Sequence, residues 1–530
     1  MVSQTGSDWT SHHAHATDHR PLTIPALKKW NDGNTTYTFG PNTRILVRTS
    51  ALEEVGQVFS EDVLSLTGLT IAVLQETQAQ DGDIVLELGN TDLPDGILGD
   101  QGYRLDISAQ ITVSARTTDG VFYGTRTLLQ LLKQGFVING GVARDWPQYP
   151  QRSLMVDVGR QYFSVSWLES HIRDLAYLKY NYFHLHFSDN FGFRLQSERH
   201  PEIVSEQHYT KKDISQLEAL ARKYHITIVP EIDIPGHLDA ALSSHPELRL
   251  VTQTSERLPG DLDLTNDAAL TFVRDLLEEC LPLFSGPYWH LGADEYLLRH
   301  FMQGGTYDDF PQIAATARAR YGAQANAKDL YLGFINWAHQ IVKAHGKTTR
   351  IWSDGQEGGS AVSPSTDAII YEHWIVWGPS PFEIIERGIP IVNCNFRYLY
   401  YAVGAPSALS MTANAQELYE TFEPHHFCSE FALLKPFAEM TGLPMPSDSV
   451  FEASDLERLK HHPLNLGAKL HVWCDDPTLQ TETQIAAAIE HALRALAQKN
   501  WGSSQLTSDY EHFKPIIAAL GRAPGYGAES

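Results

Sequence analysis

The chain has 530 residues, of which 42% are hydrophobic and 20% are charged, a composition typical of a folded globular protein. The formal net charge is −24, and the Lys and Arg residues form no cluster, so nucleic acid and anionic membrane surfaces are unfavourable partners. No apolar run reaches the roughly 18 residues that a membrane span requires.

The N-terminal segment 1–20 is polar, rich in histidine and without an apolar signal core. We predict a disordered tail here, in which His12, His13, His15 and His19 could bind a metal only weakly. We therefore expect a cytoplasmic protein, or a secreted one whose signal peptide has been removed. The four cysteines form no CxxC motif and are predicted to be reduced core residues.

The sequence pattern of residues 21–148 predicts a small α+β domain. The predicted strands span 43–48, 83–88, 103–107 and 111–115, and the predicted helix spans 120–132. The last two strands alternate apolar and polar residues and are close enough to form a hairpin. No residue set in this domain indicates chemistry, so we interpret it as a supporting domain, bounded by Pro147 and Pro150.

After Pro150 strands alternate with helices, which predicts a parallel sheet. The predicted strands are 153–159, 182–188, 226–233, 288–295, 350–354, 368–374, 391–396 and 468–475. Eight such units predict an α/β fold with a (β/α)8 TIM barrel over 149–515. A long insertion at 398–467 and a C-terminal tail at 516–530 complete the predicted domain organisation. Ser166 and Glu169 have the spacing of a capping box for the first barrel helix.

The segment Tyr288–Glu295 is an apolar, aromatic run that ends in two adjacent carboxylates. Acids at the C-terminal ends of barrel strands lie where this fold places its chemistry. We therefore predict that Asp294 and Glu295 are a catalytic pair. The alternative is a pair of solvated acids at the start of the next helix, because acids favour helix N-termini.

The other predicted strand ends carry a set of residue types that fits a neutral sugar. Aromatic rings cover the apolar C–H faces of a sugar, while carboxylates and arginine bind its hydroxyls. One acid must keep its proton to protonate the leaving oxygen. The candidate rim residues are Arg160, Asp189, Glu231, Asp233, His237, Tyr296, Trp352, Asp354, Trp374, Tyr398, Trp473 and Asp475.

Four motifs in this order resemble glycoside hydrolase family 20, which comprises the β-N-acetylhexosaminidases and lacto-N-biosidases. They are Arg152–Arg160 (RSLMVDVGR), Phe183–Asp189 (FHLHFSD), Pro230–His237 (PEIDIPGH) and His290–Glu295 (HLGADE). The resemblance extends over roughly 30–500, since the N-terminal unit also resembles the small domain that precedes this family's barrel.

The resemblance implies substrate-assisted hydrolysis, an exception to the usual pair of carboxylates. The 2-acetamido oxygen of the substrate attacks the anomeric carbon and forms an oxazolinium ion. By this resemblance Glu295 is the general acid and then the base, while Asp294 holds the acetamido N–H. Asp189 and His237 tune the protonation of Glu295, and Asp233 orients His237.

The resemblance also implies the residues that bind the sugar. Arg160 would bind its 3- and 4-hydroxyls, and Asp475 its 4- and 6-hydroxyls. Tyr398 would hydrogen-bond the acetamido oxygen. The acetamido pocket would be walled by Trp352, Trp374 and Trp473, and Tyr296 is a further predicted substrate contact. Neither a cofactor nor a metal is implied.

The predicted activity is release of a terminal β-linked GlcNAc or GalNAc from an oligosaccharide or glycoconjugate. Three departures favour the branch that includes lacto-N-biosidases, which release a Gal-GlcNAc disaccharide. Gly-Ala, rather than Gly-Gly, precedes the acidic pair; Tyr296 follows it; and Tyr400 stands where many hexosaminidases have an acid or Asn, two residues after the predicted tyrosine. Disaccharide release therefore stays open as an alternative.

Two further alternatives come from other functional classes. His184, His186, His237 and His290 are ligand types of a metal-dependent TIM-barrel amidohydrolase. In that class, however, the HxH pair ends the first strand, and here strand 153–159 precedes it. The other alternative is a silent sugar-binding protein, which the presence of both acids makes unfavourable.

Overall fold

A computed structural model describes residues 20–76, 78–89, 96–429 and 453–527. Nearly all of the predicted N-terminal tail, with its histidine cluster, lies outside these residues. So do residues 430–452 in the middle of the predicted insertion.

The N-terminal unit is one mixed seven-stranded sheet. Its strands are β1 (Lys29–Thr38), β2 (Arg44–Val47), β3 (Ala72–Leu74), β4 (Ile84–Leu88), β5 (Tyr103–Ile107), β6 (Ile111–Ala115) and β7 (Val137–Asp145), in the spatial order β1-β7-β5-β6-β4-β2-β3. The predicted hairpin is the antiparallel pair β5–β6. β1 and β7 were not predicted, because their sequences mix polar and glycine residues and lack a clear period of two. β3 was not predicted either, since three apolar residues are too short a run to show a period.

Two helices, α1 (Glu53–Thr67) and α2 (Thr118–Gln134), accompany this sheet. α2 is the predicted helix, and its predicted apolar residues Phe122, Leu128, Leu129 and Leu132 are all buried. Thr117 caps its N-terminus by accepting a hydrogen bond from the backbone N–H of Gly120.

The second unit is a closed parallel barrel, as predicted. Its strands in order are β8 (Ser153–Asp157), β9 (Tyr182–His186), β12 (Thr227–Ile234), β15 (Tyr288–Gly292), β16 (Thr348–Trp352), β17 (Ile369–His373), β18 (Ile391–Asn393) and β20 (Asn465–Trp473). Each pairs in parallel with the next, and β20 closes the ring by pairing with both β18 and β8. The strand C-termini therefore meet at one rim.

Five short additional strands in the described part of the chain lie at the rim of the barrel. β10 (Ser188–Asp189) and β11 (Gly192–Phe193) form a hairpin directly after β9, and β13 (Arg249–Val251) and β14 (Arg257–Leu262) form another after β12. β19 (Tyr400–Ala402) belongs to the predicted insertion and adds to the C-terminal half of β20. This pairing brings the start of the insertion to the rim.

Helices surround the barrel and connect its strands. They are α3 (Val165–Tyr177), α4 (Lys211–Lys223), α5 (Asp239–Ser243), α6 (Asp267–Cys280), α7 (Leu298–Met302), α8 (Pro311–Tyr321), α9 (Ala327–Ala344), α10 (Pro381–Glu386), α11 (Phe396–Leu399), α12 (Ala415–Glu420), α13 (Ala453–Leu456), α14 (Glu482–Trp501) and α15 (Tyr510–Leu520). The predicted cap of α3 is wrong: the N-cap is Ser164, whose hydroxyl accepts from the backbone N–H of Trp167.

The chain beyond 515 is not the tail that the sequence predicted. α15 continues to Leu520, and Arg522 donates to the buried carboxylate of Asp174 at 2.9 Å. Asp174 also binds Arg494 of α14 through two hydrogen bonds of 2.9 Å. These contacts attach the C-terminal segment to the barrel.

Asp145, at the end of β7, joins the two units. This buried carboxylate accepts from Lys179 Nζ at 2.9 Å, from the hydroxyl of Tyr103 at 2.7 Å and from Trp501 Nε1 at 2.9 Å. Buried charges are tolerated when they are paired and hydrogen-bonded in this way. All four cysteines are buried thiols, as predicted. Among the described residues, no helix is long and apolar enough to cross a membrane.

Candidate active site

The acidic pair lies in a strained turn rather than on a strand. β15 ends at Gly292, three residues before the predicted end, and Gly292, Ala293 and Glu295 all have positive φ angles of 73°, 74° and 50°. Gly292 is required here, since a Cβ would lie 1.7 Å from Asp233 Oδ1. Non-glycine residues with positive φ cost about 1–3 kcal/mol each and cluster at functional sites.

This turn opens into a cavity of about 390 Å3 at the rim of the barrel. A volume of this size is sufficient for a small ligand. Of the twelve residues to which the family resemblance gives a catalytic or sugar-binding role, nine line it: Arg160, Asp189, His237, Asp294, Glu295, Trp352, Trp374, Trp473 and Asp475. Asp233, Tyr296 and Tyr398 lie outside the lining.

A relay of side chains leads to Glu295. His237 Nε2 lies 3.3 Å from Glu295 Oε2, and His237 Nδ1 lies 3.2 Å from Asp189 Oδ1. Asp189 Oδ2 in turn lies 2.7 Å from His186 Nε2. In this arrangement the carboxylate of Asp189 orients His237, and His237 contacts the carboxylate of Glu295. Such an order is typical of groups that transfer protons.

The pKa values of His237 and Asp189 in this relay, and of the neighbouring Asp294, are strongly shifted. Burial lowers the pKa of His237, but Asp189 and the neighbouring carboxylates outweigh it and hold this pKa well above 6.5. Burial raises the pKa of Asp189, yet Arg160 and His237 bring it well below its usual range. For Asp294, burial dominates over the opposing charge of His237 and raises the pKa to about 6.

Arg160 is held by three carboxylates at one side of the cavity. Its guanidinium lies 3.0 Å from Asp157, 3.0 Å from Asp189 and 3.8 Å from the half-exposed Asp475. It also lies over the ring of Trp473, 5.4 Å from the centroid. These contacts fix Arg160 beside the carboxylate of Asp475, and such a pair is suited to binding sugar hydroxyls.

Aromatic rings form a further part of the cavity wall, next to Arg160. Trp352 and Trp473 lie 5.8 Å apart, and Trp374 stacks on Tyr400 at 6.2 Å with the planes 9° apart. Two of the indoles are fixed by buried acids, since Trp352 Nε1 donates to Glu231 at 2.9 Å and Trp374 Nε1 donates to Asp354 at 2.7 Å. The three tryptophans and Tyr400 thus form an aromatic slot, in which the hydrogen bonds fix the positions of two indole rings.

Comparison with known families agrees with this geometry. The family model "Glycosyl hydrolase family 20, catalytic domain" matches residues 149–501, and that for domain 2 of the same family matches residues 20–146. The chain belongs to glycosyl hydrolase family 20. The resemblance predicted from the four motifs is thereby confirmed.

Two curated family 20 relatives illustrate the range of similarity. The lacto-N-biosidase of Bifidobacterium bifidum is 29% identical over 505 residues, which are 95% of this chain and 42% of that protein. A β-hexosaminidase of Porphyromonas gingivalis is 24% identical over 64% of this chain and 46% of that protein. The chain therefore spans less than half the length of either relative.

Solved family 20 structures share the fold. A mutant β-hexosaminidase of Streptomyces plicatus in complex with its product GlcNAc gives a TM-score of 0.69 at 24% identity, with 94% of each chain covered. An exo-β-N-acetylglucosaminidase of Vibrio harveyi gives 0.73 at 20% identity, covering 95% of this chain and 78% of that one.

In this family 20 chain the structure places a different tyrosine at the cavity. Tyr400, not Tyr398, lines it, because β19 begins at Tyr400 and pairs with β20 directly beside Trp473. Tyr398 lies on α11, where its ring packs against Phe422 at 5.4 Å and against the guanidinium of Arg397. The residue two positions after the cavity tyrosine is then Ala402, which also lines the cavity.

Asp233 and Tyr296 also differ from their predicted roles. The carboxylate at Nδ1 of His237 is that of Asp189, whereas Asp233 lies buried behind the turn, where its backbone N–H donates to Ser188 Oγ at 3.0 Å. Burial and then the charge of Asp294 raise the pKa of Asp233 well above its usual range. Tyr296 points away from the cavity and donates its hydroxyl to the carbonyl of Leu262 at 2.8 Å.

Two acids that the sequence indicated only as candidate rim residues, without a role of their own, hold other residues of the site in place. Asp354 Oδ2 accepts from the backbone N–H of Glu295 at 3.0 Å while its other oxygen holds Trp374. Glu231 Oε2 lies 2.5 Å from His186 Nδ1 and so extends the relay into the core. Both stand at predicted strand ends, but only the partners brought by other strands distinguish them from ordinary structural acids.

A buried lysine argues against the alternative of a metal-dependent amidohydrolase. His184, Glu231 and His290 do come within 4.8 Å of one another beneath the cavity. Lys469 Nζ, however, lies 2.8 Å from His184 Nδ1 and is itself fully buried. His184 faces Glu231 through its other nitrogen, Nε2, so a metal in this cluster would share one imidazole with a buried ammonium, and the two positive charges would repel each other.

Proposed function

We propose that this chain is a retaining exo-glycoside hydrolase that releases terminal β-linked N-acetylhexosamine from oligosaccharides or glycoconjugates. The observation that carries the proposal is the Asp189–His237–Glu295 relay, which ends at an aromatic cavity beside a second acid, Asp294. The cavity offers a proton donor, a stabilising carboxylate and an apolar slot within one small volume.

In the proposed reaction Glu295 gives its proton to the glycosidic oxygen as the bond to the anomeric carbon breaks. The substrate's acetamido oxygen attacks that carbon from the opposite face and closes an oxazolinium ring, so no enzyme nucleophile is needed. Glu295, now a carboxylate, takes a proton from water as the water opens the ring. The product keeps the β configuration.

Asp294 acts on the acetamido group rather than on the anomeric carbon. Its carboxylate accepts a hydrogen bond from the acetamido N–H and stabilises the positive charge that develops there. A buried acid is suited to this role because its charge acts in a medium of low dielectric constant. Its Oδ1 is buried and has no hydrogen-bond partner among the described residues, which leaves it available to the substrate.

The polar and the aromatic residues of the cavity wall together orient the sugar. We assign its 3- and 4-hydroxyls to Arg160, a further hydroxyl to Asp475, and the acetamido methyl to the tryptophan slot. Tyr400 takes the acetamido oxygen, since Tyr400 is the tyrosine that lines the cavity.

Release of a Gal-GlcNAc disaccharide is the second candidate. Ala402, Ala405, Pro406, Leu409 and Met411 line the cavity beside Trp473, on the same side as Asp475. A small alanine at 402 leaves room beside the hydroxyls that Arg160 and Asp475 bind, where a further sugar would be attached. The similarity to a lacto-N-biosidase over 95% of the chain favours the same candidate.

One panel of nitrophenyl glycosides tests both candidates. We expect rapid hydrolysis of the GlcNAc or GalNAc substrate, inhibition by a thiazoline analogue of the oxazolinium, and loss of turnover with retained binding in Glu295→Gln. Hydrolysis confined to the lacto-N-bioside would select the second candidate. Equal rates on a glucoside that lacks the acetamido group would refute both.

A further inference from the structure

A cluster of histidines and acids lies outside the cavity, on two loops of the barrel rim. His200 and Glu202 belong to the segment between β11 and α4, and His245 belongs to the segment between α5 and β13. Glu202 Oε1 lies 3.2 Å from His200 Nδ1 and 2.7 Å from His245 Nε2. The three ligand atoms lie within 4.8 Å of one another.

We propose that His200, Glu202 and His245 form a binding site for a divalent cation of the Zn2+ type. Two imidazole nitrogens and one carboxylate oxygen are a ligand set that Zn2+ takes in proteins, with water as the fourth ligand. Bonds of about 2.0–2.1 Å in a tetrahedron require ligand atoms roughly 3.3 Å apart. The separation of 3.2 Å from His200 matches that value, and the separation of 2.7 Å from His245 would widen by a side-chain rotation when the cation replaces this hydrogen bond.

The second nitrogen of each ring provides an independent argument. His245 Nδ1 lies 3.1 Å from Glu247 Oε1, and His200 Nε2 lies 3.5 Å from Asp275 Oδ2. Histidines that bind metal almost always donate their other N–H to a carboxylate, which fixes the tautomer and strengthens the ligand nitrogen. His245 has that arrangement with Glu247, whereas the buried Nε2 of His200 makes no hydrogen bond to a described residue and has the carboxylate of Asp275 nearby, on a different element, as the group it can turn to.

The surroundings favour a cation and allow it to enter. Glu202, Glu247 and Asp275 together carry three negative charges, and Arg199 neutralises part of them by contacting Asp275 at 2.9 Å. The side chains of His200 and His245 are 16% and 21% exposed, so the ligand nitrogens are reachable from solvent while the rings are held in place. Phe272 of α6 supports both rings, with centroids at 4.7 and 5.4 Å.

The position of the site gives the bound cation a mechanical role. Asp189 lies on β10, ahead of the first segment, and His237 lies just ahead of α5 and the second segment, so each member of the relay to Glu295 belongs to the same strand-to-helix connection as one of the segments that the cation would join. A hydrogen bond of 3.0 Å from Ser244 Oγ to the carbonyl of Glu202 already connects the two segments without a cation. A cation would add a stronger connection between them.

Zn2+ titration of the full chain tests the proposal. The four histidines of the N-terminal segment, His12, His13, His15 and His19, are first changed to alanine so that they cannot contribute. Calorimetry on the metal-free protein should then give about one Zn2+ per chain. Binding should be lost in His200→Ala/His245→Ala and weakened about 10–100-fold in Glu247→Gln.

A matched control is His512→Ala, which removes a single exposed histidine paired with Asp509 at 2.7 Å and should leave Zn2+ binding unchanged. Amide hydrogen exchange over 197–203 and 244–248 should slow when Zn2+ is added, and should not slow in the double variant. The same Zn2+ affinity in the double variant and its parent would overturn the proposal. Glu247→Gln, which keeps both ligand histidines, serves the same test if the double variant does not fold.

Discussion

At the scale of single residues, the site depends on which side chains share a hydrogen bond. Four residues that the motifs named, Asp189, His237, Asp294 and Glu295, line one cavity. They assigned the orientation of His237 to Asp233, whereas Asp189 makes that contact. Two acids on neighbouring strand ends are equivalent in a sequence; only the side-chain direction at each strand end distinguishes them.

The tyrosines at 398 and 400 provide a matched pair for the acetamido contact. Tyr400→Phe should lower kcat/KM by roughly 10–100-fold, because a hydrogen bond to an oxygen that takes part in the reaction is lost. Tyr398→Phe should leave kcat/KM close to wild type, since its ring packs on Phe422 and Arg397. Steady-state kinetics on the best nitrophenyl substrate distinguishes the two, and a larger loss in Tyr398→Phe would contradict the assignment.

At the scale of elements, the end of β15 decides the geometry of the acidic pair. A strand that continued to Glu295 would place the two carboxylates on opposite faces of the sheet. Instead the turn at 292–297 directs Asp294 and Glu295 into one cavity, and the hydrogen bond from Glu295 N–H to Asp354 holds it. The sequence located this element but not its last residue, since a run of apolar residues does not show where φ changes sign.

Gly292→Ala tests this turn, with Gly346→Ala as its control. Both glycines have φ of +73°, but a Cβ at 292 would meet Asp233 Oδ1 at 1.7 Å, whereas a Cβ at 346 would meet nothing within 4 Å. Each variant should lose about 1–2 kcal/mol of stability from the left-handed conformation. Only Gly292→Ala should also lower kcat/KM, by more than tenfold, because Asp233 and the turn must shift. Equal activity in the two variants would show that the turn tolerates displacement.

At the scale of the whole molecule, stability and pH are linked through buried acids. Burial, reinforced by Asp294, raises the pKa of Asp354 to about 8 from an ordinary value of 3.8. The folded chain therefore retains a proton that the unfolded chain has released. The contribution of Asp354 is favourable at low pH and is lost as pH rises from about 4 to about 8, with a slope of at most about 1.4 kcal/mol per pH unit.

Thermal denaturation between pH 5 and pH 8 measures this contribution. Asp354→Asn cannot release the proton, so its Tm should fall less than that of the wild type over this range. Asp267→Asn, at a side chain that is 96% exposed, should follow the wild-type profile. Parallel profiles for Asp354→Asn and wild type would mean that Asp354 is already ionised at pH 5.

The sequence by itself determined the two-unit organisation, the parallel barrel, the family and most of the predicted site residues that line the cavity. These follow from local signals: hydrophobic periodicity fixes strands and helices, and the motifs at strand ends have fixed spacing. The tertiary structure decided the assignment of Tyr400, the partners of Asp354 and Glu231, the helix at Tyr510–Leu520 and the juxtaposition of His200 with His245. Each of these depends on contacts between segments far apart in the chain, which no local pattern specifies.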